Sequence, residues 1–224
     1  GEDIENEIYE KFMFQYPYKI YEDVAANISI SEIKRNYQKE LIIEDLDMYS
    51  SYKMPEFTAE TKGLTASQKG TALHTVMRHI DLKKQYTKES LLEEISIMTE
   101  KSILTPEEAA SVNIWAILKF LSSPLAERIR NAKVVEREKP FAIEISAFEA
   151  YGKDEYKSYD DGVLVHGIID CYFYDGKTCI LLDYKTDYVP KGEEEGFFDK
   201  YKIQLDIYSK AIERTTPFKV NEKY

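Results

Sequence analysis

Two cysteines, three histidines and one tryptophan in 224 residues leave little room for several kinds of chemistry. Cys171 and Cys179 are too few for a four-cysteine iron–sulfur cluster or a zinc ribbon, and are read as reduced structural thiols. Basic charge is also short. Thirty lysines and arginines face 41 aspartates and glutamates, a net charge of −11, which argues against gripping nucleic acid through a broad basic surface. No apolar run approaches the roughly 20 residues that a membrane span needs, and the opening GEDIENEIYE lacks the basic and apolar parts of a signal peptide. These absences predict a cytoplasmic chain with no membrane contact. The GxxxxGK[ST] pattern is missing too, so no ATP hydrolysis is expected from these residues.

What is present is enough to fold. Hydrophobic residues make up 43% and aromatics 13%, sufficient to bury a core in one domain or a domain with an appendage. Both ends are expected to be cuts: Gly1 reads as a cloning remnant, and FKVNEKY ends where a strand is starting. Apolar spacing of three and four predicts helices through the first 130 or so residues. One opens at Ser31 in ISEIKRNYQKEL. After a polar loop from Glu44 to Lys62, others cover Ala66 to about His79 and Lys88 to about Glu100. Thr105, Pro106 and Glu108 form a capping box for a longer helix reaching Ser122, with Trp115 in the core.

From Lys133 the period changes to two. KVVEREKPFAIEI, VLVHGIIDCYFY and TCILLDYKT read as strands of one sheet, DYVPKGEEEGFFDKY as a loop, and YKIQLDIYSKAIER as a helix covering the sheet. The expected fold class is therefore α/β (α+β), a small mixed sheet flanked by helices, with a helical N-terminal portion over 29–132 and the sheet with its covering helix over 133–224.

Asp175-Gly176 is a hairpin signal, because a two-residue mirrored turn needs positive φ at both positions. That turn would set Asp170 opposite Leu181 and send Asp170, Asp183 and Lys185 to one side, the two aspartates as diagonal neighbours. It also puts Cys171 and Cys179 on opposite faces. Buried charges are costly unless paired or metal-bound, so DYKTD either ends a strand in solvent as a plain Asp–Lys pair or performs a function. The functional reading is a hard-cation site: close carboxylates repel, and a divalent ion relieves the repulsion while activating water.

GIID ending at Asp170, DYKT from Asp183, Gln204-x-x-x-Tyr208 and an earlier GTALHT with His74, in that order, resemble the RecB-like branch of the PD-(D/E)XK nucleases. SISEIKR, EREKPF over Glu136–Phe141 and DYKTD give a finer resemblance to the AddA chains of AddAB-type helicase–nucleases, from about Ser29 to the end. The resemblance implies a restriction-endonuclease-like core over 29–224, with 1–28 a linker from an upstream helicase region. It implies Mg²⁺ (Mn²⁺ in its place) and no iron–sulfur cluster, with ATP used only by the helicase region. Asp170, Asp183, His74 and the Tyr184 carbonyl would be ligands, Lys185 would position the attacking water, and Gln204 and Tyr208 would orient substrate or Lys185. The implied activity is hydrolysis of single DNA strands, as an exonuclease in double-strand break repair, beside an AddB-like second subunit. A catalytically silent scaffold that guides DNA is the alternative. His79 and His166 lack such context and read as structural or surface residues. Glu136 and Glu138 read as alternating charges on a half-exposed strand and stay outside the set.

Overall fold

The computed structural model describes residues 24–45, 63–186 and 194–224. Its elements are β1 (Asn27–Ser29), α1 (Ile30–Asp45), α2 (Ala66–His79), α3 (Lys88–Glu100), α4 (Pro106–Ser111), α5 (Ile114–Leu121), α6 (Pro124–Arg130), β2 (Val134–Ser146), α7 (Ala147–Tyr151), a 3-10 turn (Asp154–Ser158), β3 (Gly162–Tyr174), β4 (Cys179–Leu182), α8 (Glu194–Thr215) and β5 (Val220–Lys223).

The long strand β3 organises the sheet. β2 runs antiparallel along one edge, from Val134 opposite Tyr174 to Ser146 opposite Gly162. The other edge is shared: β1 lies parallel to Leu164–His166, and β4 antiparallel to Cys171–Tyr174. A gap at Gly167–Asp170 separates them, and β5 extends the sheet beyond β4. β1 crosses residue 28, so Val24 and Ile28 join the core a little upstream of the expected start at 29.

Helices cover both faces. Ile33, Leu205, Tyr208 and Ala211 pack with Val165, Tyr172 and Leu181, while Ala72, Val76, Leu91 and Ile117 pack with Cys171, Phe173 and Ile180. Cys171 and Cys179 are free and buried in opposite cores, as their register demands. Along β3 the alternation slips at Asp170: Val163, Val165 and Ile169 belong to the first core, yet Cys171 and Phe173 belong to the second. Phe141 and Gly167 face each other just before the slip, and a Cβ on Gly167 would stand 2.9 Å from the Phe141 ring. That ring in turn meets Tyr208 edge-on, which explains a glycine at the head of GIID. No helix among the described residues is long and apolar enough to cross a membrane.

Four expectations need correction. The hairpin loop holds four residues, Asp175–Thr178, and Tyr172 rather than Asp170 faces Leu181. Asp175 Oδ1 accepts from the Lys177 and Thr178 amides, which stabilises the wider loop. The expected helix from Pro106 to Ser122 breaks at Val112–Asn113, where Asn113 caps a new helix by accepting from the Ala116 amide. Trp115, in the first turn after that break, is 67% exposed rather than core, with Lys88 over its ring. The expected loop before Tyr201 is already helical from Glu194; glutamates are good helix formers and suit an N-terminal turn. Its first part, and residues 46–62 of the other expected loop, lie outside the described residues.

Candidate active site

β4 ends at Leu182, and Asp183–Thr186 leave the sheet beside the gap in β3. With Cys171 opposite Leu182, the next step sets Asp183 level with Asp170. The last residue holds that step in place: the Asp183 amide donates to the Tyr224 carbonyl and the Tyr224 amide to the Leu181 carbonyl. The Tyr184 amide donates to Asp170 Oδ2 at 2.9 Å, which turns the Tyr184 carbonyl toward α2.

His74 receives it. α2 begins with a full capping box of Thr65 and Gln68, and buries Ala72, Val76 and Met77, so His74 is carried on a fixed helix. Its Nε2 lies 2.8 Å from the Tyr184 carbonyl and its Nδ1 3.4 Å from Asp170 Oδ1. Behind the aspartates, α8 supplies Gln204, whose amide donates to Asp183 Oδ1 at 3.0 Å and to the Tyr208 hydroxyl at 2.9 Å. The Lys185 ammonium pairs with Asp183 Oδ2. Thus Asp170, Asp183, Lys185, His74, the Tyr184 carbonyl, Gln204 and Tyr208 all converge. Gln204 reaches Asp183, and Tyr208 lines the same cleft while its hydroxyl accepts from Gln204. His79 and His166 stand apart, each hydrogen-bonded locally, to the Thr75 carbonyl and to Asn27.

One residue left out of the expected set belongs here. Glu138 sits on β2 between Arg137, opposite Cys171, and Lys139, opposite Ile169, which makes it level with Asp170. Ligand atoms of His74, Glu138 and Asp170 all lie within 4.8 Å of one another. Glu138 has φ +48°, a left-handed backbone that costs a non-glycine residue about 1–2 kcal/mol. Strain at this level and the slip in β3 coincide. Only the register of β2 against β3 could have shown this, and EREKPF does not contain that register.

Charge is concentrated here. Burial lifts Asp183 to about 6, with Lys185 opposing and Asp170 adding to the rise. Burial also pushes Asp170 up, but the His74 hydrogen bond and charge prevail and hold it below the usual carboxylate range. The same hydrogen bond raises His74 against the effect of burial. Glu138 is raised by burial and by the charge of Asp170. Asp170 and Glu138 with the His74 imidazole form a donor set that could hold a cation; Asp183 adjoins it level with Asp170, and the repulsion among these carboxylates is what a divalent ion would relieve. The site opens into a cleft of about 630 Å³ between α1, α2 and α8.

A buried carboxylate cluster with a lysine at a split in a mixed sheet is an arrangement that could hold a metal ion and serve hydrolysis. The sequence model of the PD-(D/E)XK nuclease superfamily matches residues 48–223, and the chain belongs to that superfamily. Its curated relatives include the larger, A-type chains of ATP-dependent helicase/nucleases. It is 40% identical over 222 residues to the one from Thermoanaerobacter sp. (strain X514), covering 97% of this chain and 18% of the relative. It is also 40% identical over 220 residues to the one from Acetivibrio thermocellus, covering 96% and 17%, and over 230 residues to that of Bacillus cytotoxicus, covering 97% and 18%. The chain therefore spans less than a fifth of the length of these relatives.

Proposed function

We propose that this chain is the nuclease domain of an ATP-dependent helicase/nuclease, hydrolysing phosphodiester bonds in single DNA strands delivered by an upstream motor in the cytoplasm. The observation that carries the reading is the convergence of Asp170, Asp183 and Lys185 with His74 and the Tyr184 carbonyl. Asp170, Asp183, His74 and the Tyr184 carbonyl would hold Mg²⁺ or Mn²⁺, and Glu138, within 4.8 Å of the His74 and Asp170 ligand atoms, would join them. When bound, such an ion supplies Lewis acidity, polarising a phosphate oxygen and making a coordinated water more acidic.

The side chains do the rest. The Lys185 ammonium beside Asp183 orients the attacking water and balances the negative charge that builds on the phosphate. Gln204 fixes the Asp183 carboxylate through one oxygen and leaves the other to Lys185, while Tyr208 fixes Gln204. Water oxygen bonds to phosphorus as the bridging P–O bond breaks, and no covalent enzyme intermediate forms. The names of the relatives support an ATP-driven motor on the same polypeptide; the proposal extends to a role in double-strand break repair beside an AddB-like subunit, which the sequence resemblance implies.

The test is cleavage of end-labelled single-stranded DNA by the purified chain with Mg²⁺ or Mn²⁺. Cleavage is expected to start at a strand end, to stop in EDTA, and to fall by at least about a hundredfold in Asp183→Ala. Cleavage that survives both EDTA and the substitution would place the activity elsewhere.

A further inference from the structure

Two lysines line the cleft, Lys34 from the second turn of α1 and Lys185 from the site itself. Both ammonium groups stand over one ring, that of Tyr201, at 4.2 Å and 5.0 Å from its centroid. Tyr201 is 6% exposed and lies on α8 one turn before Gln204, so the helix that fixes Asp183 also holds these two cations. An aromatic face attracts ammonium groups and lets two of them approach. Lys185 is paired with Asp183, and Lys34 brings a second ammonium to the same ring from another helix, a local gathering of positive charge in a chain that is strongly acidic as a whole. Ser31 and Ser67 line the same cleft, on α1 and α2.

We infer that Lys34 is a second phosphate contact, binding the backbone phosphate adjacent to the scissile one on a single strand, and that Tyr201 positions both Lys34 and Lys185. This rests on the nuclease reading above. Sharing one ring keeps the two charges close enough for neighbouring phosphates, and it gives an acidic domain a local grip where a broad basic surface is missing.

Binding of a short dye-labelled oligodeoxythymidine by the 224-residue chain, with Ca²⁺ replacing Mg²⁺ to slow cleavage, tests it by anisotropy over a range of salt concentrations. Lys34→Gln should bind several-fold more weakly at low salt, and its plot of log affinity against log salt should be shallower by about 0.7, the value of one lost phosphate contact on a single strand. Tyr201→Leu should show the same loss and in addition slow turnover with Mg²⁺, because Lys185 loses its seat; Tyr201→Phe, which keeps the ring, should retain binding and turnover. Lys84→Gln, at a lysine that does not line the cleft, is the control and should keep the original slope. An unaltered slope in Lys34→Gln, in a chain that binds and cleaves, overturns the inference and leaves the nuclease reading intact. A parent chain that neither binds nor cleaves with Mg²⁺ overturns both.

Discussion

Asp183 carries a carboxyl that burial lifts to about 6, while its partner Asp170 is held low by His74. An aspartate whose folded value exceeds its unfolded value near 4 stabilises the fold below about pH 4, and that contribution is lost as pH rises through about 6. A cation needs the deprotonated carboxylate and a neutral imidazole, and His74 is raised as well. Apparent Mn²⁺ affinity should therefore climb from about pH 5, as Asp183 ionises, and go on rising above about pH 7 as His74 loses its proton, and the thermal stabilisation by added Mn²⁺ should grow in the same direction. Calorimetric titration at several pH values measures it; a flat profile would show that these groups do not titrate against the ion. At this scale the sequence was most informative. Asp170, Asp183, Lys185, His74 and Gln204 stand in short motifs whose order could be read directly, and the structure brings them together. Glu138 could not be read, because its place depends on long-range pairing and on a left-handed backbone that no local pattern signals.

Elements show why a wrong turn still led to the right side of the sheet. The loop is two residues wider than the Asp175-Gly176 turn implies, so the register moves by two, and a shift equal to the strand period keeps every side chain on its face. The aspartates end up level rather than diagonal. The same loop is clamped by a residue that sequence reading passed over. Arg128 on α6 donates to Asp175 Oδ2, to both Glu222 oxygens on β5 and to Thr178 Oγ1, all at 2.8–3.1 Å, tying the β3–β4 loop to the last strand. The backbone amides of Thr178 and Lys177, and then Arg128, hold Asp175 well below the usual carboxylate range; Arg128 also lowers Glu222. A third of the Arg128 side chain is exposed, which screens the charges, so Arg128→Ala should cost about 1–2 kcal/mol near neutral pH. Lowered carboxylates contribute stability above their unfolded values near 4 and lose it as pH falls through the folded ones. Urea unfolding should thus show the Arg128→Ala deficit at about pH 7 and a smaller one near pH 3; an equal deficit at both would make it a packing effect. Helix breaks were the least legible feature here: Asn113 restarts a helix inside an apolar run whose spacing reads as continuous, and Trp115 turns outward as a result.

The whole molecule is a sheet split on one edge. β1 and β4 share the edge of β3 and part at Gly167–Asp170, and helices on both faces supply His74 from one side and Gln204 from the other. The class of fold was legible because strand and helix periods segregate along the chain, with β2, β3 and α8 near their expected places. The split was not, since β1 has only three residues and shows no alternation that could be recognised. In the proposed assembly the net charge of −11 matters less than it would for a free enzyme, because a motor on the same polypeptide raises the local concentration of the strand. In the proposed function one cation, held by Asp170, Asp183, His74 and the Tyr184 carbonyl, serves the reaction. Anomalous scattering from crystals soaked in Mn²⁺ locates the ion directly. A peak is expected within coordination distance of those four groups, at about 2.0–2.4 Å. A peak elsewhere, or none in a protein that cleaves DNA with Mn²⁺, would contradict it.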